Sequence, residues 1–171
     1  RHFAHLMCCI ERPARFISPA EAVHGATGFL QEGDVMVFAS RGGKTKELLN
    51  KVNSSVKGKE GSIVYLDKSQ KHMYELNNKV RLINVTEFPI SNCDEFLGFI
   101  CGIVSQDHDL EEMYLDSFLT IASLEDEDGI VKAIEKLDVI SEKYKIKFIL
   151  SVSKDISELP ECAKAKVVIS L

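Results

Sequence analysis

The amino-acid sequence predicts an α/β protein with a three-layer, doubly wound parallel sheet. Strand-like segments alternate with helix-length segments along almost the whole chain, which is the order typical of βαβ units. Some of these strands are apolar almost throughout, as strands are when helices cover both faces of a sheet. The 171 residues are 45% hydrophobic and 27% charged, which suits a single folded domain and argues against intrinsic disorder.

The first half of the chain supplies five elements. Residues 2–10 suit the buried end of a helix, and residues 14–18 read as a short strand. Residues 34–40 are predicted to be a fully buried strand, because nothing between their ends is polar. A helix follows over residues 44–56, where leucines and valines form one stripe. Residues 62–66 form the next predicted strand.

The middle of the chain continues the alternation. A short helix is predicted near residues 70–77, followed by a strand over residues 79–85. Residues 94–104 are predicted to be helical, and residues 113–121 to be a strand.

The last part of the chain begins with the clearest helix, over residues 130–144, whose apolar residues recur at three- and four-residue spacing. Strands over residues 147–152 and 166–170 close the chain.

The acidic run at residues 125–128 could bind a hard cation, or one of its aspartates could cap the helix that follows. The polar stretch at residues 53–61 is the one candidate for a seam between two segments.

Composition excludes several classes of protein. Lys and Arg number 21 against 26 Asp and Glu, a formal net charge of −5, so we expect no nucleic-acid partner. The longest uncharged apolar run, residues 96–104, is too short to span a membrane. The 5 cysteines form no C-x-x-C pair, which favours reduced thiols in a cytoplasmic protein. The chain opens at Arg1 without Met or a signal-peptide pattern, as an excerpt or a processed piece would.

A turn suited to phosphate follows the predicted strand at residues 34–40. The strand ends in Ser40, and Gly42 and Gly43 allow a tight turn before a helix that starts near Thr45. Backbone N–H groups, the two hydroxyls and the Lys44 ammonium could together hold a phosphate. The alternative is an ordinary strand-to-helix turn that Thr45 caps without any ligand.

The same turn resembles the end of a nucleotide-binding P-loop. The motif G-x-x-x-x-G-K-[ST] matches at Gly43, Lys44 and Thr45 but requires a glycine at position 38, which is Phe38. The loop would be too short to wrap a pyrophosphate. The sequence therefore favours a simple phosphate site over a nucleotide loop.

Two motifs resemble the sugar isomerase (SIS) domain, in the branch of arabinose 5-phosphate isomerases. Residues 19–25 read PAEAVHG, and residues 40–47 fit the pattern S-x-x-G-x-T-x-E. The resemblance covers residues 2–56 and implies a five-stranded, SIS-like or flavodoxin-like sheet that binds a sugar phosphate. It implies phosphate contacts from Ser40, Thr45 and the loop amides of Gly42, Gly43 and Lys44, although many members carry a serine where Gly42 stands.

The same resemblance implies an active site. His24 and Glu47 match catalytic positions of that branch, where a carboxylate or a neutral imidazole would move a proton through an enediol. The alternatives are a turn capped by His24 and an ion pair between Glu47 and Lys44 or Lys51. The family's first strand would precede Arg1. Because members share pockets between subunits, we expect a homo-oligomer, with neither metal nor cofactor.

The second half of the chain has a different likeness. Residues 112–118, with the helix and strand that follow, resemble the Walker B half of RecA-like ATPases over residues 58–171. In that fold Asp116 would help to hold Mg²⁺ beside nucleotide phosphates. The alternative is a polar residue at a strand end. Both likenesses would be explained if segments from two α/β parent proteins were joined near residues 53–61 and shared one sheet. Such a join could be natural or engineered.

Three functions are therefore expected as candidates. The first is aldose–ketose isomerisation of a sugar phosphate, and the second is sensing of a sugar phosphate without catalysis. The third is a degenerate RecA-like P-loop protein, or an engineered α/β chimera, without natural activity. We expect one α/β domain in which residues 1–56 form the SIS-like segment and residues 57–171 a divergent or foreign one.

Overall fold

A computed structural model describes residues 34–39, 44–164 and 166–170, with the side chains of Lys44 and of residues 167–170 left out of the description. These residues form one six-stranded sheet with the strand order β3-β2-β4-β5-β1-β6. Every neighbouring pair of strands is parallel. The prediction of a three-layer α/β fold is confirmed.

The strands and helices follow one another in the alternating order expected of parallel sheets. The strands are β1 (Val35–Ala39), β2 (Ser62–Asp67), β3 (Val80–Asn84), β4 (Leu110–Leu115), β5 (Lys147–Val152) and β6 (Val167–Ser170). The helices are α1 (Lys44–Ser55), α2 (Cys93–Gln106), α3 (Phe118–Ile121), α4 (Glu127–Tyr144) and α5 (Glu161–Lys164). Short 3-10 turns extend α1 and follow β3 and β5.

The sheet is buried on both faces, and each face has its own core. On one face α1 packs through Leu48, Leu49 and Val52 against side chains of the central strands. On the other face α2 and α4 cover the sheet, and buried side chains such as Phe96 and Ile134 lie in a larger core. Helices on both faces explain why the central strands carry apolar residues at successive positions rather than at alternate ones.

Polar caps fix where the two long helices of the larger core begin. The side chain of Asn92 accepts a hydrogen bond of 2.9 Å from the backbone N–H of Glu95 at the start of α2. The side chain of Asp126 accepts one of 2.6 Å from the N–H of Gly129 at the start of α4. The acidic run at residues 125–128 therefore provides a helix cap, which satisfies an otherwise unpaired backbone donor.

Two elements differ from the sequence prediction. Residues 70–77 form turns rather than a helix. Leu76 packs against the core, whereas Met73 and Tyr74 are exposed, so the stretch does not bury the apolar stripe of a helix. The predicted strand at residues 113–121 is wrong in its second half, since β4 ends at Leu115 and α3 begins at Phe118. Ser117 between them has a φ of 54°, a left-handed conformation that breaks a strand. The helix at residues 2–10 and the strand at residues 14–18 lie outside the described residues.

The strand from the first part of the chain lies inside the sheet. β1 pairs with β5 along its whole length and with β6 on its other side, so strands from near both ends of the described chain complete one sheet.

No helix within the described ranges is both long and apolar enough to cross a membrane. The described cysteines, Cys93, Cys101 and Cys162, are free thiols.

Candidate functional site

Three polar side chains lie at the carboxyl edge of the sheet. Asp67 ends β2, Asp116 directly follows β4, and Ser151 lies one residue before the end of β5. Each follows by two positions a residue of the α1-face core, and alternate residues of a strand share a face. Because β2, β4 and β5 are neighbours in the sheet, these three groups form a row beside α1. We call them the edge cluster.

Asp116 is the centre of the edge cluster. Its carboxylate is 2% exposed. The Oδ1 atom accepts hydrogen bonds from the Ser151 hydroxyl at 2.6 Å and from the Ser117 N–H at 2.8 Å. The Oδ2 atom accepts one from the Tyr65 hydroxyl at 3.1 Å. Burial of a carboxylate is tolerable because these donors replace water around it.

The left-handed backbone at Ser117 contributes to this arrangement. The Ser117 N–H lies 2.8 Å from Asp116 Oδ1 and also 2.8 Å from the hydroxyl oxygen of Ser151. A non-glycine residue with positive φ costs energy, and such residues concentrate where a site has to be shaped. Here the tight turn after β4 directs a backbone donor back at the buried acid.

Asp67 is the second buried acid of the edge cluster, also 2% exposed. It accepts a hydrogen bond from the Lys68 N–H at 2.7 Å and one from the Ser69 hydroxyl at 3.2 Å. Burial raises the pKa of Asp67 above its ordinary value, and the nearby Asp116 carboxylate raises it further, against these hydrogen bonds. A carboxyl with a raised pKa can accept and release a proton closer to neutral pH.

Two stacked tyrosines lie under the edge cluster. Tyr65 in β2 and Tyr114 in β4 are register partners with ring centres 6.1 Å apart and planes 14° from parallel. Their hydroxyls bind carboxylates at opposite ends of the strands. Tyr65 donates to Asp116 at the carboxyl edge, whereas Tyr114 donates to Glu112, towards the amino edge, at 2.8 Å. Burial, followed by the neighbouring carboxylate, raises the pKa of both phenols, so both remain protonated donors at neutral pH.

The start of α1 borders the same face of the sheet. Helix α1 begins at Lys44, and Leu48 and Leu49 pack with Phe38 of β1 and with Tyr65. The connection from β1 to α1 thus leads onto the face that carries the edge cluster. Phe38, at the position where a P-loop has its first glycine, is a strand residue only 2% exposed.

The residues predicted to bind phosphate or to catalyse have the following places. Thr45 and Glu47 are half-buried in the first turn of α1, and Lys44 is its first residue. The Glu47 Oε2 atom is buried without a hydrogen-bond partner among the described residues. His24, Ser40, Gly42 and Gly43 lie outside the described residues.

The edge cluster suits Mg²⁺ held together with phosphate oxygens. The described residues contain no group of three or more His, Cys, Asp or Glu side chains able to hold a metal ion. Magnesium beside nucleotides is bound by only one or two carboxylates together with phosphates and water. Asp116 supplies such a carboxylate, so the edge cluster fits this type of site but not a cage made by the protein alone.

Comparison with known proteins defines the fold further. No protein-family model matches the sequence, and no curated protein matches it. Among solved structures, a KaiC-like protein from the hyperthermophilic archaeon Pyrococcus horikoshii matches 92% of this chain, and the match covers 81% of that chain. The TM-score is 0.57 and the sequence identity 19%. The match shows a similar fold.

The sugar isomerase resemblance is wrong. The fold found by comparison is that of a KaiC-like protein, and nothing found points to a sugar isomerase. The two motifs are short, and the strand between them pairs with β5 and β6 from the far end of the chain. Aldose–ketose isomerisation and sugar-phosphate sensing therefore have no support. The catalytic roles of His24 and Glu47, which the resemblance implied, stay untested predictions. The RecA-like alternative agrees better with the fold.

Asp116 is predictable from the sequence, but its partners are not. Asp67 ends an apolar strand just as Asp116 follows one, and this shared pattern was a signal that could have revealed it. Ser151 and Tyr65 carry no such signal. Their part in the site depends on which strands are neighbours, and one sequence does not state the strand order.

Proposed function

We propose that this chain is a RecA-like domain with a degenerate phosphate loop, which binds a nucleoside phosphate with Mg²⁺ and hydrolyses it poorly if at all. One observation carries the proposal. Two buried carboxylates, Asp67 and Asp116, lie at the carboxyl edge of the sheet on the face that α1 covers. In open α/β sheets, ligands bind outside the carboxyl ends of the strands, where helices begin.

Phosphate binding is assigned to the connection between β1 and α1. The backbone amides of Gly42 and Gly43, the hydroxyls of Ser40 and Thr45 and the Lys44 ammonium supply the donors that phosphate needs. The start of a helix adds a favourable dipole. Asp116, on the same face, would hold Mg²⁺ against the phosphates, and the ion would supply charge neutralisation there.

Weak hydrolysis follows from Phe38. A P-loop glycine lets the backbone wrap the phosphates closely, and here that position is a buried side chain inside β1. Phosphoryl transfer depends on positioning and on charge stabilisation, so a loop that wraps the phosphates less closely lowers the rate. Asp67, whose pKa burial raises, is the group able to take a proton from an attacking water.

Binding of a fluorescent ADP analogue tests the proposal. The wild-type chain is expected to bind it more tightly with Mg²⁺ than with EDTA. Asp116→Asn should remove this difference, because a neutral amide is a poor magnesium ligand. Asp94→Asn is the matched control and should leave the difference unchanged. Asp94 is an exposed carboxylate of α2 that pairs with Lys132 of α4, and these two helices cover the other face of the sheet.

A second variant tests the phosphate contacts. Lys44→Ala should weaken binding of the analogue both with and without Mg²⁺, because it removes a cation from the phosphates rather than a metal ligand. If the wild-type chain binds no nucleotide, or if Asp116→Asn binds as wild type does, the proposal is wrong, and the chain is better described as an α/β scaffold without this activity.

A further inference from the structure

The environment of Asp116 limits how it can bind a metal ion. An ionised carboxylate has about four acceptor positions, two on each oxygen. On Asp116, Oδ1 accepts from Ser151 and from Ser117, so both of its positions are used. Oδ2 accepts from Tyr65, which leaves one position free among the contacts of the described residues.

We propose that Tyr65 is a positioning residue that fixes the Asp116 carboxylate so that a single position on Oδ2 is presented to Mg²⁺. The inference rests on the proposed nucleotide function and adds to it a residue that does not itself touch the metal or the nucleotide. Donors that hold a ligating carboxylate fix its orientation, and their loss typically lowers metal affinity by about 10- to 100-fold.

The geometry makes Tyr65 the controlling donor. Ser151 and Ser117 both donate to Oδ1 and hold that oxygen. Tyr65 is the contact that fixes Oδ2, the oxygen with a free position. Its ring is itself held, because it is fully buried and stacked on Tyr114. A rigid donor is what a preorganised site requires.

The stacked pair supplies an unusually close control. Tyr114 is as buried as Tyr65, lies opposite it in the register and also donates its hydroxyl to a buried carboxylate. That carboxylate, Glu112, lies towards the amino edge of the sheet, two residues before Tyr114. Tyr65→Phe and Tyr114→Phe therefore remove the same atom from two equally buried rings, and only the first removal touches Asp116. The Tyr114 hydroxyl also lies 3.0 Å from the Ser55 hydroxyl.

The experiment measures the Mg²⁺ affinity of the full chain with the fluorescent ADP analogue bound, by titrating MgCl₂ into wild type and the variants. Tyr65→Phe is expected to weaken Mg²⁺ binding by about tenfold, whereas Tyr114→Phe should leave it unchanged. Thermal melts in EDTA should show that the two variants are folded. Ser151→Ala, which removes a donor from Oδ1, serves as a second variant and should also weaken Mg²⁺ binding.

The outcomes separate the two proposals. Equal Mg²⁺ affinities for Tyr65→Phe and Tyr114→Phe, or tighter binding by Tyr65→Phe, would overturn the positioning role, the latter by showing that Tyr65 competes with the metal. If Asp116→Asn binds Mg²⁺ and nucleotide as wild type does, the proposed function itself fails. Loss of affinity in Asp116→Asn without any loss in Tyr65→Phe would overturn the positioning role alone.

Discussion

Ser151 donates its hydroxyl to the Oδ1 atom of Asp116 over 2.6 Å and thereby joins the ends of two neighbouring strands. The two residues are 35 positions apart in the sequence, and the contact exists only because β4 and β5 are paired in parallel. A hydrogen bond from a hydroxyl to a carboxylate is stronger than one from a hydroxyl to a neutral carbonyl. The contact therefore contributes both to the stability of the sheet edge and to the shape of the edge cluster.

The first prediction concerns that hydroxyl. Ser151→Ala should lower the free energy of unfolding by about 1–3 kcal/mol, because a buried charged acceptor loses a partner. Ser141→Ala is the matched control: its hydroxyl is equally buried but donates at 2.8 Å to the neutral carbonyl of Ile146. Urea denaturation of both variants should show the larger loss for Ser151→Ala, and a larger loss for Ser141→Ala would contradict the reasoning.

The sequence was sufficient to predict most of the fold. Segments with one clear period or an unbroken apolar run, such as α4 and β1, were predicted close to their observed bounds. The strand predicted over residues 113–121 failed at Ser117, because apolar residues on both sides of the turn hid a change from strand to helix. That change depends on a single left-handed residue, which composition does not reveal.

The site was predictable only in part, for a different reason. Asp116 could be found because it follows an apolar run, but Tyr65 and Ser151 reach it across strand pairs. The sugar isomerase interpretation failed because it depended on local patterns at residues 19–25 and 40–47, which many folds can carry at a strand-to-helix turn. Local sequence describes such a turn well, yet it does not say which strands lie beside it.

The second prediction concerns pH and Asp67. Because burial raises its pKa in the folded state, the folded chain holds this proton more tightly than the unfolded chain does. The contribution of Asp67 to stability is therefore greatest below the ordinary value of 3.8 and is lost as the pH rises from there through the raised value. Asp67→Asn should remove this loss, so that the variant gains stability relative to wild type as the pH rises.

Urea denaturation between acid and neutral pH checks this sign. Asp94→Asn provides the comparison, because the hydrogen bond from Lys132 lowers the pKa of Asp94, so its contribution has the opposite sign and is lost as the pH falls. Since Asp94 is fully exposed, that effect should be small. If Asp67→Asn loses stability relative to wild type as the pH rises, then burial does not raise the pKa of Asp67.

The third prediction concerns two glycines. A Cβ atom on Gly61 would collide with the backbone carbonyl of Asp109 and come within 2.6 Å of the Glu111 side chain, whereas one on Gly98 in α2 would meet nothing within 4 Å. Gly61→Ala should therefore cost about 1–3 kcal/mol of stability. Gly98→Ala should gain about 0.5–1 kcal/mol, since alanine favours a helix interior.

Thermal unfolding of the two alanine variants tests this contrast. The substitutions are chemically identical, so any general effect of adding a methyl group is shared between them. Stabilisation by Gly61→Ala would show that β2 can move away from Asp109 at little cost, and destabilisation by Gly98→Ala would show that the exposed face of α2 is in contact with something.

The last prediction distinguishes the two interpretations of the acidic run at residues 125–128. Asp126 accepts the N–H of Gly129, so Asp126→Ala should cost about 1 kcal/mol as the helix loses its cap. Asp128→Ala removes an exposed acid from the first turn of α4 and should cost less, because only the interaction with the helix dipole is lost. Melting curves should not shift on addition of CaCl₂ in any of these proteins. A rise in melting temperature with Ca²⁺ that both variants abolish would instead show that the run binds a cation.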